Sequence, residues 1–422
     1  MKSATTCLSA WLALAAAALP QTVLIRGATV HTVSGPDIAS GSVLIRDGKI
    51  AEVGVVVKAP KQARVLEAKG LHLYPGMIDS ATDLGLAEIT SVRETVDIRE
   101  IGDFKPQLRT IIAVNSASEH IPVTRANGIT SAVVLPEGGI ISGQAAVIHL
   151  DGWTWEEMAA RPSVAMVLQF PVIQQTPAER TGPSERRIPY AEAKKRYEAR
   201  LRELDDWFER ARRYQRARQA PASGLRPDLQ LEAMLPVLER KLPVVIHAVR
   251  EKAIREALAF AERQKIRIIL AGARDADKLA AELKAKDVPV ILPRVLELPL
   301  NEDDPYDRPF TLPAALHKAG VRFAFATYSS SFSRNLPYQA ATAVAFGLPY
   351  QEALRGLTLY PAEIWGLNEL GSVEPGKLAN LILADGDLLE VRTQIKHVFV
   401  RGKEVDLNNK HTTLYEKYRN RP

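Results

Sequence analysis

The sequence predicts an α/β fold, a TIM-like (β/α)8 barrel with a small β-sandwich domain formed from both chain ends. Three observations point there. Short strand-like runs punctuated by turn residues occupy the two ends of the chain. Continuous apolar runs alternating with helical stretches fill the middle, as in a parallel sheet covered on both faces. The chain has 422 residues, enough for one large barrel and a small domain.

The first residues are set apart from that fold. Lys2 precedes an apolar run containing Leu8, Trp11, Leu12, Leu14 and Leu19, and Ala16-Ala17-Ala18 offers a small-residue cleavage site. Residues 1–20 therefore read as a signal peptide, too short for a membrane anchor. The expectation is an exported protein, periplasmic or secreted, with no transmembrane segment. Cys7 is the only cysteine and falls inside this segment. A mature chain without thiols has no disulfide framework, no cysteine nucleophile and no thiolate zinc site. The formal charge of +6 is modest for this length and, with export, argues against nucleic acid as a partner.

Residues 21–74 and 368–410 are expected to form the composite β domain. Val43-Leu44-Ile45 and Ile50-Ala51-Glu52-Val53 flank Arg46-Asp47-Gly48-Lys49. An Asp-Gly pair between apolar runs signals a hairpin, because the turn needs positive φ at its centre. Near the other end, His397-Val398-Phe399-Val400 and Lys403-Glu404-Val405 flank Arg401-Gly402 in the same way. Residues 75–367 are expected to form the barrel, with strands such as Val244-Val245-Ile246 and Phe323-Ala324-Phe325.

A basic helical insertion interrupts the barrel at about 186–219. Tyr197, Leu201, Leu204, Phe208 and Tyr214 make an apolar stripe. Residues 186–218 hold twelve basic and six acidic side chains, an excess equal to the net charge of the whole chain. This predicts a solvated helix laid on the barrel, with docking to an acidic partner or anionic lipid as the alternative. Pro221-Ala222-Ser223-Gly224 reads as the linker that ends it.

Tyr74-Pro75-Gly76-Met77-Ile78-Asp79 resembles the segment that opens the barrel in the amidohydrolase superfamily, particularly its imidazolonepropionase-like members. There the aspartate is followed, one residue later, by His-x-His. Asn335-Leu336-Pro337, Pro361-Ala362-Glu363-Ile364, Gly371-Ser372-Val373-Glu374-Pro375-Gly376-Lys377 and Ala379-Asn380-Leu381 are similar to the family's later segments. The resemblance implies a hydrolase of carbon–nitrogen bonds other than peptide bonds, in amides or cyclic amides. It also implies one or two divalent metals such as zinc at the barrel mouth, activating water. The implied ligands are the His-x-His, often a lysine after strand four, histidines after strands five and six, and an aspartate after strand eight.

The sequence departs from that set. Ala81 and Asp83 stand at the two histidine positions after strand one, and Val167-Leu168-Gln169-Phe170 offers no lysine. Pro243-Val244-Val245-Ile246-His247-Ala248 matches, so His247 is the one retained metal-ligand position. Leu270-Ala271-Gly272-Ala273-Arg274 has no histidine, and Tyr328 stands where the aspartate belongs. A catalytic zinc takes about three protein ligands, so no metal cofactor and no complete site are expected.

Three readings follow. The first is a degenerate amidohydrolase, non-catalytic or metal-poor, that binds a small molecule or forms a homo- or hetero-oligomer with a related subunit. The second is an active hydrolase rebuilt around His247 as general base, with Tyr328 as donor, Asp83 in the polar core, and His149 or His120 reaching the mouth. The third is an exported interaction module using the basic helix. Gly138-Gly139-Ile140-Ile141-Ser142-Gly143-Gln144 lacks the ending of a phosphate loop and reads as a loop lining the mouth. Glu302, Asp303, Asp304 and Asp307 read as a solvated loop, with calcium as the alternative.

Overall fold

Five strands open the chain: β1 (Val23–Val30), β2 (Ile38–Arg46), β3 (Lys49–Gly54), β4 (Arg64–Glu67) and β5 (His72–Pro75). The computed structural model describes residues 22–175, 188–219, 226–419 and 421. The segment read as a signal peptide, the first residues of the basic insertion and the Pro221-Ala222-Ser223-Gly224 linker lie outside the described residues. Eight strands follow in the middle: β6 (Met77–Thr82), β7 (Ile129–Val134), β8 (Ile141–His149), β9 (Ala159–Gln169), β10 (Val244–His247), β11 (Ile268–Ala271), β12 (Val290–Ile291) and β13 (Phe323–Ala324). Three more close the chain: β14 (Leu381–Ala384), β15 (Ile395–Val400) and β16 (Lys403–Glu404).

Both chain ends build one sheet, in the order β16-β15-β14-β5-β1-β2-β3, with β4 also pairing β1. The antiparallel pairing of β5 with β14 joins them. The expected hairpin turns are present, with positive φ at both central residues: 51° and 77° at Asp47 and Gly48, 52° and 76° at Arg401 and Gly402. The two turns abut. A Cβ on Gly48 would lie 2.9 Å from the Arg401 carbonyl oxygen, and one on Gly402 would lie 2.7 Å from the Gly48 Cα. Ile50 N donates to Lys377 O (2.8 Å) and Ala379 N to Gly48 O (2.9 Å), which returns β3 to the segment entering β14. The two layers of the β domain are thus one continuous sheet, curled over a core that includes Ile25, Val43, Ile45, Leu73, Leu381 and Phe399.

The barrel strands β6 to β13 pair in chain order. Ser80 N donates to Phe325 O (3.2 Å) and Tyr328 N to Ala81 O (2.8 Å), which closes the seam between the first and last strands. Small and branched apolar side chains, among them Ile78, Val133, Val147, Val245, Ile269 and Ile291, fill the interior. It is a packed core rather than a pore.

One strand breaks the expected parallel order: β8 runs antiparallel to both β7 and β9. A parallel crossover needs about a dozen residues or more, and only residues 135–140 separate β7 from β8. Gly138 and Gly139, at φ 77° and 71°, turn the chain back instead. The reversal puts His149, the last residue of β8, opposite Ser131 near the start of β7. His149 therefore sits at the end of the barrel away from the mouth, which corrects its expected place in the site. Its Nδ1 lies 3.1 Å from Ser131 Oγ and 3.3 Å from Asn380 Nδ2. Burial, together with nearby Arg401 and Arg161, pulls its pKa down to about 4. Neutral and hydrogen-bonded, it ties the barrel floor to the β domain.

The basic insertion is the helix Tyr190–Gln219, which buries Tyr197, Leu204, Trp207, Phe208, Ala211 and Tyr214. The predicted stripe is its contact face, with Leu201 packed at the edge. Phe208 meets Phe260 of the helix Glu251–Gln264 edge to face, with centroids 5.3 Å apart. Trp207 stacks on Phe104 at 4.8 Å. No helix among the described residues is long and apolar enough to cross a membrane.

Asp79, fully buried, clamps the barrel seam. Its carboxyl group accepts from Thr327 N (3.0 Å) and from the Thr327 hydroxyl. Burial pushes its pKa up to about 7. The folded chain then holds a proton that the unfolded chain, with a pKa of about 4, has lost across that interval. This group's contribution to stability therefore falls as pH rises from about 4 to about 7. Asp79→Asn removes the dependence. The difference in urea-unfolding free energy between wild type and variant should shift by on the order of 3 kcal/mol across this window. A pH-independent difference would contradict the assignment.

Candidate active site at the barrel mouth

His247 ends β10, in register with Gln169 of β9 and Ala271 of β11. The next residue after β11 is Gly272, at φ 66°. A Cβ there would lie 2.5 Å from His247 Nε2. The imidazole thus occupies the space that any side chain at position 272 would need. Burial lowers the pKa of His247, which keeps the ring neutral at neutral pH.

Tyr328 comes from the other side. Its backbone is left-handed, at φ 50°, a conformation that costs a non-glycine residue about 1 kcal/mol or more. The phenol ring meets His247 edge on, with centroids 6.3 Å apart and planes at 83°. Its hydroxyl accepts from Gly272 N (3.0 Å) and donates to Ile291 O (3.3 Å). The side chain therefore spans the mouth from strand eight to the ends of strands six and seven, over a bed that includes Ala81, Ala271 and Ala326. Burial holds its pKa well above the usual tyrosine range, so the phenol stays protonated.

Asp83 does not join this pair. Its carboxylate accepts from Ser330 N, at the junction of strands one and eight. Asp83 has no hydrogen bond to His247 or Tyr328. Burial raises its pKa, with the Ser330 hydrogen bonds only partly offsetting the rise. His120 is held by Glu88 O at 2.9 Å. Of the expected polar core of His247, Asp83 and Tyr328, the structure brings His247 and Tyr328 together, while Asp83 is held by Ser330.

The residues present do not fit a divalent metal. Ala81 and Gly272 supply no donor, and the Tyr328 hydroxyl is committed to two backbone groups. His247 is the lone imidazole, and no group of three or more His, Cys, Asp or Glu side chains among the described residues could hold a metal ion. The acidic loop does not gather either: Asp304 Oδ2 turns back to Asn301 N (3.0 Å) and Nδ2 (2.9 Å).

Beside His247 a cavity of about 540 Å³ opens between the ends of strands four and five and the basic helix. Gln169, Phe170, Tyr197, Arg200, His247 and Arg250 are among its lining residues. Gly139 and Ile140 of the glycine-rich loop also line it. Glycine at 139 is demanded by protein packing, since a Cβ there would lie 2.6 Å from the Gly102 carbonyl oxygen. Sequence reasoning missed Arg200 and Arg250. The one signal was Arg200's position a single helical turn from Tyr197, at the edge of the apolar stripe. A larger cavity, about 790 Å³, lies at the opposite end of the barrel. Two of its cations are spoken for there, Lys286 by Glu262 (2.7 Å) and Arg322 by Asp287 (2.9 Å).

A family model described as "Amidohydrolase family" matches residues 156–405, more than half of the chain. The chain belongs to the amidohydrolase family. Among solved structures, an amidohydrolase from Thermotoga maritima MSB8 is 25% identical with a TM-score of 0.78, covering 91% of this chain and 99% of its own. Phenylurea hydrolase B shares the fold at a TM-score of 0.56, with 15% identity over 92% of this chain and 97% of its own. Amidohydrolase tasK of Hapsidospora irregularis is 24% identical over 401 residues, 86% of this chain. That match spans 39% of the length of the tasK protein.

Within this amidohydrolase-family barrel, the packing of His247, Gly272 and Tyr328 makes a ranked prediction. Tyr328→Phe removes one partner of an amide that keeps a second acceptor, Ile291 O at 3.1 Å, and should cost about 1 kcal/mol. Gly272→Ala forces both a left-handed alanine and a clash with the imidazole, and should cost about 2–4 kcal/mol. Chemical denaturation of the two variants checks the order. Equal losses would mean that His247 does not lie against Gly272.

Proposed function

We propose that this amidohydrolase-family chain does not carry out metal-dependent hydrolysis, and that it binds a small molecule in the mouth cavity beside His247. The observation that carries this reading is the Tyr328 phenol, hydrogen-bonded across the mouth to Gly272 and Ile291 in the space where the family's metal chemistry would need donors. Metal-dependent hydrolysis requires an activated water and a polarised carbonyl. Ala81, Gly272 and a protonated, committed phenol supply neither.

A second reading, hydrolysis of a carbon–nitrogen bond by His247 as general base, draws support from its neutral imidazole. It is weaker because a working base is oriented by a partner. Asp83 is bonded to Ser330, the Tyr328 hydroxyl is committed elsewhere, and His247 has no hydrogen bond to another described residue. Use of the basic helix as a docking surface is weaker again, because several of its cations are paired within the chain, Arg196 with Glu192, Arg212 with Glu209 and Arg218 with Glu232. Export remains part of the proposal, on the strength of Lys2 and the apolar run after it.

The test is metal analysis of the purified protein after dialysis, with a turnover screen over amides, cyclic imides and dipeptides. Metal well below one equivalent, and no turnover above that of His247→Ala, is the expected result. One equivalent of zinc, iron or manganese, with turnover that disappears in His247→Ala, would overturn the proposal.

A further inference from the structure

The mouth cavity has a charge character that the family resemblance did not supply. Three cations line it from two separate elements: Arg200 on the basic helix, and Arg250 and Lys252 at the start of the helix Glu251–Gln264. Glu256 is the one carboxylate among the described lining residues. It already accepts the Tyr197 hydroxyl at 2.7 Å and lies 4.0 Å from Lys252. Arg250 reaches a neutral partner, Asn301 Oδ1, at 2.9 Å, so its charge is not cancelled by that contact. Arg200 has no ion pair among the described residues.

Around these charges the wall is mixed. Phe170, Val172, Ile173 and Ile140 give an apolar side, and His247 presents a ring without a hydrogen bond to another described residue. Arg200, Arg250 and Lys252 are exposed at the cavity's rim, where cations of one sign attract an anion to the cleft. Guanidinium groups match the planar carboxylate in shape and donor spacing.

We propose that the mouth cavity takes a small organic carboxylate, its anionic group drawn to Arg200 and Arg250 and its apolar body set against Phe170 and Ile140. This rests on the reading of the mouth as a binding site. It also gives the basic helix a definite task. Its apolar stripe fixes the helix on the barrel, and Tyr197 and Arg200, one turn apart, reach the cavity wall from the edge of that stripe.

The experiment titrates the full chain with benzoate and glutarate, beside benzamide, glutaramide and phenyl phosphate. The His247 imidazole signals, assigned with His247→Gln, report occupancy of the mouth. The carboxylates should shift those signals and the amides should not. Arg200→Gln and Arg250→Gln should each weaken carboxylate binding by about tenfold. Arg213→Gln, exposed farther along the same helix, should leave it unchanged, and added salt should weaken it. Amides binding as well as carboxylates, or arginine variants that bind like wild type, would overturn the anion assignment and leave the binding site standing. Binding of phenyl phosphate alone would replace the carboxylate with a phosphate ester. No shift of His247 with any probe would overturn the binding reading itself.

Discussion

The buried carboxyl group of Asp79 sets the geometry on which the mouth depends. It holds both the amide and the hydroxyl of Thr327, and so fixes where the last barrel strand ends relative to the first. The next residue is Tyr328, whose amide bonds to Ala81 O. Held at both points, the chain enters the left-handed region at Tyr328, and the phenol turns inward across the strand ends. Gly272 then answers from the far side, bare enough to admit the His247 ring and placed to bond the phenol oxygen. One closure contact is thus transmitted through three residues to the centre of the site. The conformational cost at Tyr328 is met by the bonds around it, the usual condition under which such backbone strain persists.

Much of this architecture was legible from local chemistry. Asp47-Gly48 and Arg401-Gly402 announced their hairpins because few residues accept positive φ twice in a row. The apolar stripe on the basic helix identified its contact face, although Trp207 was passed over. Its partner Phe104 lies in a distant loop, invisible to periodicity. The strand assignments in the barrel held because buried parallel strands read as unbroken apolar runs. The reversal of β8 was hidden for the same reason. An interior strand has the same composition in either direction, and only the length of the 135–140 connection distinguishes the two.

The site was legible residue by residue but not as an assembly. His247 and Tyr328 were named from their positions after strands five and eight, and they do meet. Asp83 was grouped with them because it follows strand one, but its carboxylate is taken by the Ser330 amide in the strand-eight loop. His149 was misplaced by the hidden reversal. Arg200 and Arg250 carried no motif at all. Their convergence on one cavity depends on how a surface helix lies against the barrel, and that is a tertiary fact. The basic character of the insertion was visible in the composition, but which of its twelve cations bordered the cavity was not.

The abutting glycine turns at Gly48 and Gly402 bear on how the chain is made. The β domain needs strands from both ends, with β5 docked on β14 and one hairpin turn resting on the other. During synthesis β1 to β5 emerge first and pair largely with one another, yet β5 lacks its other partner, β14, until the entire barrel has been translated. Their closure is among the most non-local events in the molecule, and contacts of that kind form slowly. The barrel is therefore free to assemble first, with the N-terminal strands waiting as an open sheet edge. The topology thus leaves one seam for last: the edge of β5, made early, is completed only when β14 arrives.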